Sequence, residues 1–373
     1  MDLGKLVTDS VRQANELRGQ FNLLMAGITG VGKSTLVNAV FSENLAETGQ
    51  GRPVTLGTRE YSRPGFPLTL FDTRGLETAR YQETIQELHE VIKKRRSSDQ
   101  RQHIHACWLC ISEDSRRVQE AEMELARLLH ASGVPVLVVI TKARSDQGFS
   151  DVVRELIPHT WGVHRVRALQ EELDDGHVLQ PFGLLELLEA TMELIPEASR
   201  NALAAAQKVS LDMKVRRARA VVSTATASAG AAAAVPLPLS NLWTLAPIQL
   251  GMLAGINATF GLSFSQTYLQ TVLSSALGIA GTGYATRTLA SALLKFVPGL
   301  GSVAGGVIAA GTASALTAAL GNSYIRALRV SIERSGSAQP DASKLAEEFR
   351  QQFRSRGRQI EAADEPENET KPD

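Results

Sequence analysis

Residues 27–34 read Gly-Ile-Thr-Gly-Val-Gly-Lys-Ser, and this segment constrains the fold more than any other stretch of the chain. It follows an apolar run over residues 21–26 that predicts a buried strand. A helical spacing of apolar residues follows it, at Leu36, Val37, Val40 and Phe41. A Gly-x-x-x-x-Gly-Lys-Ser segment between a strand and a helix is typical of a phosphate-binding loop. The sequence therefore predicts a nucleotide-binding α/β domain built around this loop.

The residue types in the loop suit the chemistry of a phosphate chain. Glycines let successive backbone N–H groups turn inward around an anion, and the following helix points its positive end toward the same anion. In such a loop Lys33 would neutralise the β- and γ-phosphates, and the Ser34 hydroxyl would occupy one position around Mg²⁺. The nucleotide-binding residues predicted here are Gly27, Thr29, Gly30, Val31, Gly32, Lys33, Ser34 and Thr35.

A second motif, Asp72-Thr73-Arg74-Gly75, follows directly after a strand pattern over residues 67–71. An Asp-x-x-Gly that leaves a strand can place a carboxylate near Mg²⁺ and a glycine N–H near the γ-phosphate. The motif stands one strand pair after the phosphate loop, so we expect Asp72 and Gly75 to belong to the same site.

Strand and helix patterns then alternate along the chain. Predicted strands and helices follow one another at 105–112, 119–130, 134–141, 149–159, 162–169 and 182–194. Apolar strands that alternate with helices form a parallel sheet covered on both faces. Ligands of such sheets bind at the carboxyl ends of the strands, where both motifs lie. The predicted class is an α/β P-loop fold with a mostly parallel sheet.

The two motifs, with Thr35–Ala39 after the first, resemble the Era/TrmE-like branch of the translation-factor-class GTPases over residues 20–196. The resemblance implies a Ras-like P-loop NTPase fold, GTP hydrolysis, and GTP/GDP and Mg²⁺ as cofactors.

The resemblance also implies roles for individual residues. Catalytic roles at the γ-phosphate fall to Lys33, Thr55 and Gly75, and Mg²⁺ would be held by Ser34, Thr55 and Asp72. Thr58 is the alternative to Thr55 as the switch-loop threonine. Thr141 and Lys142 complete the predicted nucleotide-binding residues.

Three features depart from the pattern of this family. Leu76 stands where Ras-like enzymes place a water-orienting glutamine, so we expect slow or partner-dependent turnover. The base-reading motif Asn/Thr-Lys-x-Asp ends on Arg144, a donor that cannot replace an aspartate acceptor, and Asp146 is the nearby alternative. The usual Ser-Ala-Lys segment reads Val-Arg-Ala-Leu at 166–169. Guanine is therefore implied over adenine by the resemblance alone.

The second half of the chain has a different composition. Residues 220–325 contain only two charged side chains, Arg287 and Lys295, and are rich in Ala, Gly, Ser, Thr and Leu. One interpretation is that helices at 245–264 and 301–325 enter a bilayer, since each is about 20 residues or longer. The other is an all-α, Ala/Gly-rich domain buried on itself or in an oligomer, because polar residues such as Asn257 are costly in lipid.

Residues 205–330 also resemble the uncharacterised, membrane-predicted C-terminal domain of YcjF-type proteins, mainly through Pro236-Leu237-Pro238 and the segment 296–306. That resemblance implies a GTPase followed by a helical tail and no settled activity. The predicted divisions are an N-terminal helix, a GTPase domain, an apolar helical domain, and a charged helix with a disordered tail, at 1–19, 20–196, 197–335 and 336–373.

Cys107 and Cys110 lie in an apolar run, so we expect them to pack inside a strand. The first residues show no long apolar core, which favours a cytoplasmic GTPase domain with membrane association through residues 220–325. Lys+Arg and Asp+Glu balance at 39 each, and no basic domain with interleaved aromatics follows, so a nucleic-acid partner is not expected.

The sequence thus predicts a GTPase switch that couples nucleotide state to a membrane-associated helical domain. The expected partners are a guanine nucleotide, a membrane lipid or membrane protein, and further copies of the chain. The alternative is a nucleotide-binding scaffold of low turnover whose helical half mediates oligomerisation or effector binding in solution.

Overall fold

The computed structural model describes residues 3–42, 52–55, 57–73, 76, 81–233, 241–262, 310–336 and 339–364. The chain divides into an α/β unit over residues 18–210 and a helical unit made of residues 1–17 and 211–373.

The α/β unit is organised around a seven-stranded sheet. Its strands are β1 (Phe21–Ala26), β2 (Arg52–Pro53), β3 (Thr58–Ser62), β4 (Leu68–Thr73), β5 (Ala106–Ser112), β6 (Val136–Thr141) and β7 (Gly162–Arg165). The spatial order is β2-β3-β4-β1-β5-β6-β7. The five strands β4, β1, β5, β6 and β7 are parallel to one another. Strand β3 pairs antiparallel with β4, and β2 pairs antiparallel with β3. The predicted mostly parallel α/β fold is confirmed.

Helices cover both faces of this sheet. They are α2 (Lys33–Val40), α3 (Tyr81–Arg96), α4 (Glu120–Ala131), α5 (Phe149–Leu156), α6 (Leu184–Leu194) and α7 (Glu197–Ala206). Every residue of β1, β5 and β6 is buried, as continuous apolar strands in a parallel sheet require. On one face Trp108 stacks on Phe41 and donates from Nε1 to Thr191 Oγ1 at 3.0 Å. Cys107 and Cys110 are buried free thiols of β5.

A short ribbon, β8 (Glu171–Glu172) paired antiparallel with β9 (Val178–Leu179), follows β7. At the other end of the unit α7 packs into its core: Ala202–Ala206 are buried, and the Ser42 N–H donates to the Ala206 carbonyl at 3.0 Å. The α/β unit therefore includes α7 and extends to Ser210, whereas the sequence-based boundary lies at residue 196.

The helical unit contains the helices α1 (Leu3–Arg18), α8 (Leu211–Ala233), α9 (Asn241–Phe260), α10 (Ala310–Ser335) and α11 (Ala342–Asp364). The unit includes α1 as far as Leu17. Its buried core draws on every one of these helices, with Val7, Val222, Ile256, Tyr324 and Phe349 among its members. The N-terminal helix, which the sequence sets apart as residues 1–19, thus packs with the C-terminal helices. This confirms a helical region after the α/β fold.

Two buried polar side chains of this core, Tyr324 and Lys214, donate hydrogen bonds within the helical unit. Tyr324 donates from its hydroxyl to Asn257 Oδ1 at 2.7 Å, and Lys214 Nζ donates to the Phe260 carbonyl at 2.9 Å. Burial lowers the pKa of Lys214 to about 7. Hydrogen bonds between helices of this kind are what allow polar side chains to be buried in a helical core.

None of the described helices combines the length and the apolar character that crossing a bilayer requires. This bears on the predicted segment 245–264, which corresponds largely to α9, and on the part of 301–325 that lies in α10. A spanning helix is therefore not supported in either. Residues 263–309 and 365–373, which include part of the predicted segment 301–325 and the end of the predicted disordered tail, lie outside the described residues.

Candidate functional site

The loop between β1 and α2 contains three glycines with positive φ angles, Gly27, Gly30 and Gly32. Gly27 has a φ of 135°, and a Cβ built on it would lie 2.3 Å from the Cys110 carbonyl oxygen. Gly32 has a φ of 96° and immediately precedes the first residue of α2. Both angles lie in the region that side-chain-bearing residues rarely adopt. The glycines of the predicted motif therefore fix the loop geometry.

Lys33 brings its ammonium group back over this loop. Its Nζ donates to the Gly27 carbonyl at 2.6 Å and to the Ile28 carbonyl at 3.1 Å. Ser34 and Thr35 are exposed in the first turn of α2, as are Thr29 and Gly30 in the loop, and Val31 is buried. One positive side chain, exposed hydroxyls and a helix N-terminus thus meet where an anion can bind.

The Asp-x-x-Gly motif begins at the same edge of the sheet. Asp72 is the penultimate residue of β4 and pairs in register with Met25, two residues before the loop. Arg74 and Gly75 lie outside the described residues, so the predicted role of Gly75 stays a prediction. Leu76 is 2% exposed and belongs to the core on one face of the sheet, and its hydrocarbon side chain has no group that can hydrogen-bond a water molecule.

The two candidate switch threonines occupy different environments. Thr55 is half-buried in the turn before β3, where its Oγ1 accepts a hydrogen bond from the Gly57 N–H at 3.2 Å. Thr58 begins β3, opposite Thr73, and is fully buried. A threonine that closes over a ligand has to reach solvent, which agrees with the preference for Thr55; its contact with Mg²⁺ stays a prediction.

A buried carboxyl group that the sequence analysis did not single out lies within electrostatic range of Lys33. Glu122, in the first turn of α4, is 1% exposed and accepts from the Gln119 N–H at 2.9 Å. Burial raises the pKa of Glu122 to about 7, against the opposing effects of the Gln119 hydrogen bond and the positive charge of Lys33. The capping-box spacing Gln119-x-x-Glu122 was the signal that could have identified it.

The segment after β6 meets the phosphate loop from the other side. The Thr141 hydroxyl donates to the Val31 carbonyl and, at 3.2 Å, to the Ile111 carbonyl. Lys142 has a φ of 54°, which is uncommon for a residue with a side chain. One hydroxyl therefore joins β6, β5 and the loop, and the predicted residues Thr141 and Lys142 lie beside Gly32.

Glu113, directly after β5, holds this segment in place. Its Oε1 accepts from Arg165 Nε and Nη2 at 2.8 and 2.6 Å, and its Oε2 accepts from the backbone N–H groups of Arg144 and Ser145. Burial opposes ionisation of Glu113, but these hydrogen bonds outweigh it and lower the pKa of the carboxyl. No motif marked Glu113 or Arg165 in the sequence, because the two residues are 52 positions apart.

Asp146 is occupied elsewhere. Its Oδ1 accepts from the Ser150 N–H at 2.9 Å and from the Ser150 hydroxyl at 2.7 Å, and it lies 3.5 Å from Arg165 Nε. These contacts cap the first turn of α5. The suggestion that Asp146 replaces the missing base-reading aspartate stays a prediction, and the structure shows its Oδ1 engaged with Ser150.

A cavity of about 320 Å³ opens beside the phosphate loop. Its walls come from the loop and α2, from the segment after β6 and from the chain between β7 and β8: Gly32, Thr35, Leu36, Thr141, Lys142, Arg144, Val166, Arg167, Ala168, Leu169, Gln170 and Glu171. The chain after β7 is hydrogen-bonded to the segment after β6. The Ala143 N–H donates to the Val166 carbonyl at 3.2 Å, and Arg167 Nε donates to the Ala143 carbonyl at 2.9 Å.

The cavity and the phosphate loop form a continuous site. Gly32 of the loop and Thr35 in the first turn of α2 line the cavity, so a ligand with its phosphates over the loop would place its base in the cavity. A mainly apolar cavity of this size with a few polar groups is typical of a small-ligand site. The geometry is that of a nucleotide-binding site.

Two family models match the chain. Residues 22–142 match the family described as 50S ribosome-binding GTPase, a segment that contains the loop at 27–34 and Asp72 and ends on Lys142. Residues 198–355 match a domain of unknown function, DUF697. None of the curated proteins compared with the chain matches it.

Several solved structures resemble part of the chain. A probable GTP-binding protein engB is 16% identical, covering 46% of this chain and 97% of its own, with a TM-score of 0.33. The G domain of the T. maritima FeoB iron transporter is 17% identical, covering 47% and 98%, with a TM-score of 0.29. A bacterial selenocysteine-specific elongation factor is 14% identical, covering 47% and 28%, with a TM-score of 0.31. The α/β unit is a GTPase domain of the P-loop class, joined in one chain to helices that match a domain of unknown function.

Proposed function

We propose that this protein is a GTP-hydrolysing switch of the Era-like type, in which the nucleotide state of the α/β unit controls what the helical unit binds. The observation that carries the proposal is the continuity of the site. Lys33 lies over a glycine-shaped loop, and the cavity for a base is lined by Gly32 of that loop and by Thr35 of α2. GTP and GDP are the nucleotides we assign to it.

Mg²⁺ fits the donor set of this site. The Ser34 hydroxyl is exposed at the start of α2, the Asp72 carboxylate stands at the end of the adjacent strand, and Thr55 lies in an accessible turn. Hydroxyl and carboxylate oxygens are the hard donors that Mg²⁺ prefers, completed by water and phosphate oxygens. When bound, the ion would neutralise charge on the transferred phosphoryl group.

The chain's own residues account for slow turnover. Lys33 places a positive charge on the phosphate oxygens, and the glycine loop supplies backbone N–H groups to them. Leu76 is buried and apolar, so it cannot orient an attacking water. A partner or a second copy of the chain would supply that group. The scaffold alternative, with negligible hydrolysis, draws on the same residue.

The helical unit is the response element in this proposal. Its helix α1 ends at Arg18, and β1, which leads into the phosphate loop, begins at Phe21. Contacts with the γ-phosphate would order the loops that contain Thr55 and Gly75, and hydrolysis would release these loops. We propose docking to a membrane surface or a membrane protein through residues 220–325, from their near lack of charge and the basic residues Arg216, Arg217 and Arg219 that precede them.

The experiment that tests nucleotide binding and turnover compares three full-length proteins: wild type, Lys33→Ala and Lys93→Ala. Lys93 is an exposed lysine of α3 and serves as the control. We expect Lys33→Ala to weaken binding of a fluorescent GDP by about 100-fold or more, the equivalent of losing charge-assisted contacts to phosphate. Phosphate release from GTP should fall with it. Unchanged binding in Lys33→Ala would refute the proposed site.

Two further measurements separate the finer alternatives. If wild type releases no more phosphate than Lys33→Ala while it still binds GDP, the protein is a scaffold and not an enzyme. Flotation with phosphatidylglycerol-containing vesicles, in GDP and in a non-hydrolysable GTP analogue, tests the membrane part. We expect flotation that depends on the nucleotide; a protein that stays at the bottom of the gradient in both states would refute membrane docking.

A further inference from the structure

Guanine and adenine require different hydrogen-bonding groups in the wall of a cavity that binds them. Guanine presents two donors side by side, the N1–H and the 2-amino group, whereas adenine presents an unprotonated N1 acceptor at the corresponding edge. A cavity that selects guanine therefore needs an acceptor with two lone pairs directed at this edge, and a carboxylate is the side chain best suited to it.

Two carboxylates near the cavity are already engaged. Asp146 caps α5 through Ser150, and Glu113 accepts from Arg165 and from two backbone N–H groups. Neither residue lines the cavity. Among the described residues that do line it, Glu171 is the only carboxylate.

Glu171 is hydrogen-bonded by Arg144, the residue that stands in place of the expected aspartate. Arg144 Nε donates to Glu171 Oε2 at 2.9 Å, and Arg144 Nη2 donates to Glu171 Oε1. Two parallel bonds of this kind fix the plane of a carboxylate as well as its position. Each oxygen keeps a further lone pair, so the pairing leaves Glu171 able to accept two more hydrogen bonds.

The environment also keeps Glu171 charged. The hydrogen bond from Arg144 lowers the pKa of Glu171, although the side chain is partly exposed to water. Glu171 begins the ribbon β8–β9, and the segment that leads to it is tied to the backbone of Ala143 through Val166 and Arg167. The carboxylate is thus fixed to the same loop that carries Lys142.

We infer that Glu171 is the residue that distinguishes guanine from adenine in this cavity, by accepting hydrogen bonds from the N1–H and the 2-amino group, and that Arg144 is its positioning residue. The inference rests on the proposed function, since it takes the cavity as the site of the base. It explains how an arginine can stand at position 144: the acceptor is supplied by the ribbon that follows β7, and Arg144 orients it. Adenine would place its N1 lone pair against the carboxylate and be rejected.

The test measures the affinities of the full-length protein for GDP, xanthosine diphosphate and ADP with Mg²⁺ present, by competition against a fluorescent GDP. Xanthine keeps the N1–H but replaces the 2-amino group with a carbonyl oxygen. Glu171→Gln introduces an amide N–H that can donate to that oxygen. We expect this variant to lose about 10- to 100-fold in GDP affinity, the range for hydrogen bonds to a charged group, and to gain affinity for xanthosine diphosphate.

Glu172→Gln is the matched control, because Glu172 is the next residue of the same strand and is exposed. It should leave all three affinities unchanged. Arg144→Ala should lower the affinity for GDP relative to that for ADP and leave the affinity for ADP unchanged. A general loss of folding would instead lower both affinities. Glu171→Asp, which keeps the charge on a shorter side chain, should retain preference for GDP over xanthosine diphosphate.

The outcomes separate this inference from the proposed function. Wild type that binds GDP while Glu171→Gln and Glu172→Gln show the same GDP-to-xanthosine-diphosphate ratio would overturn the inference and leave the nucleotide site standing. Wild type that binds GDP and ADP equally would do the same. Wild type that binds none of the three nucleotides would overturn both.

Discussion

Arg165 donates to Glu113 Oε1 from Nε and from Nη2, at 2.8 and 2.6 Å, and so ties the end of β7 to the segment after β5. The other carboxylate oxygen receives the backbone N–H groups of Arg144 and Ser145. One buried carboxyl group therefore sets the position of the loop that forms a wall of the base cavity. Neither residue contacts the cavity itself.

Glu113→Gln should weaken GDP binding and destabilise the α/β unit by about 1–3 kcal/mol, because Arg165 and two N–H groups lose a charged acceptor. The pKa of Glu113 is lowered in the folded state, so its stabilising effect is present above the unfolded pKa and disappears as pH falls through the folded pKa. The difference from wild type should hold from neutral pH to about pH 5 and shrink below about pH 4.

Urea unfolding of both proteins across this pH range measures the effect. Glu155→Gln, at an exposed position of α5, is the control and should match wild type throughout. A Glu113→Gln protein as stable as wild type at pH 7 would show that the carboxylate does not organise the loop.

Thr141→Val should loosen the phosphate loop while keeping the shape of the side chain. The hydroxyl donates to the carbonyls of Val31 and Ile111, and valine leaves both without this donor at a buried position. The expected cost is about 1–3 kcal/mol. Amide hydrogen exchange should rise in a peptide over residues 27–36, and GDP affinity should fall.

Thr160→Val provides the comparison for that variant, since the Thr160 hydroxyl donates to the Ile157 carbonyl away from the loop. Exchange over residues 27–36 should be unchanged in it. Equal exchange in the two variants would mean that Thr141 does not restrain the loop.

The sequence was sufficient for the parts of this protein that depend on local pattern. Gly27 and Gly32 follow from one motif, and the buried strands follow from continuous apolar runs. The mostly parallel sheet follows from alternation of strands and helices. These are features in which neighbouring residues carry all the information.

Contacts between distant residues could not be read in this way. The pair Glu113 and Arg165, and the pair Arg144 and Glu171, join residues far apart in the chain, and no spacing rule links them. Packing of Val7 with the C-terminal helices was hidden for the same reason. The low charge of residues 220–325 suggested lipid, although alanine-rich helices also bury well against one another.

Glu122→Gln should change how stability depends on pH. Burial raises the pKa of Glu122 to about 7, so between about pH 4.5 and pH 7 the folded protein holds a proton that the unfolded chain has lost. A group of this kind makes stability fall as pH rises through that window. Glutamine removes the titration and still accepts from the Gln119 N–H, so the variant should gain up to about 3 kcal/mol on wild type by pH 8.

Glu120→Gln, two residues earlier and exposed on the same helix, should follow the pH dependence of wild type. Urea midpoints of the three proteins at pH 5 and pH 8 decide the matter. If the urea midpoints of wild type and Glu122→Gln changed by the same amount between pH 5 and pH 8, the raised pKa of Glu122 would be refuted.

Gly321→Ala and Gly251→Ala should have opposite effects on the helical unit. A Cβ on Gly321 of α10 would lie 2.6 Å from a methyl group of Val222 and 2.8 Å from the Met252 sulfur, whereas a Cβ on Gly251 meets nothing within 4 Å. Alanine in a helix is favoured over glycine by about 0.5–1 kcal/mol, so Gly251→Ala should stabilise. At Gly321 the forced separation of helices should cost about 1–3 kcal/mol instead. Hydrogen exchange over residues 215–230, on α8, should therefore rise in Gly321→Ala and stay level or fall in Gly251→Ala. A stabilising Gly321→Ala would mean that α8, α9 and α10 do not approach as closely as the structure places them.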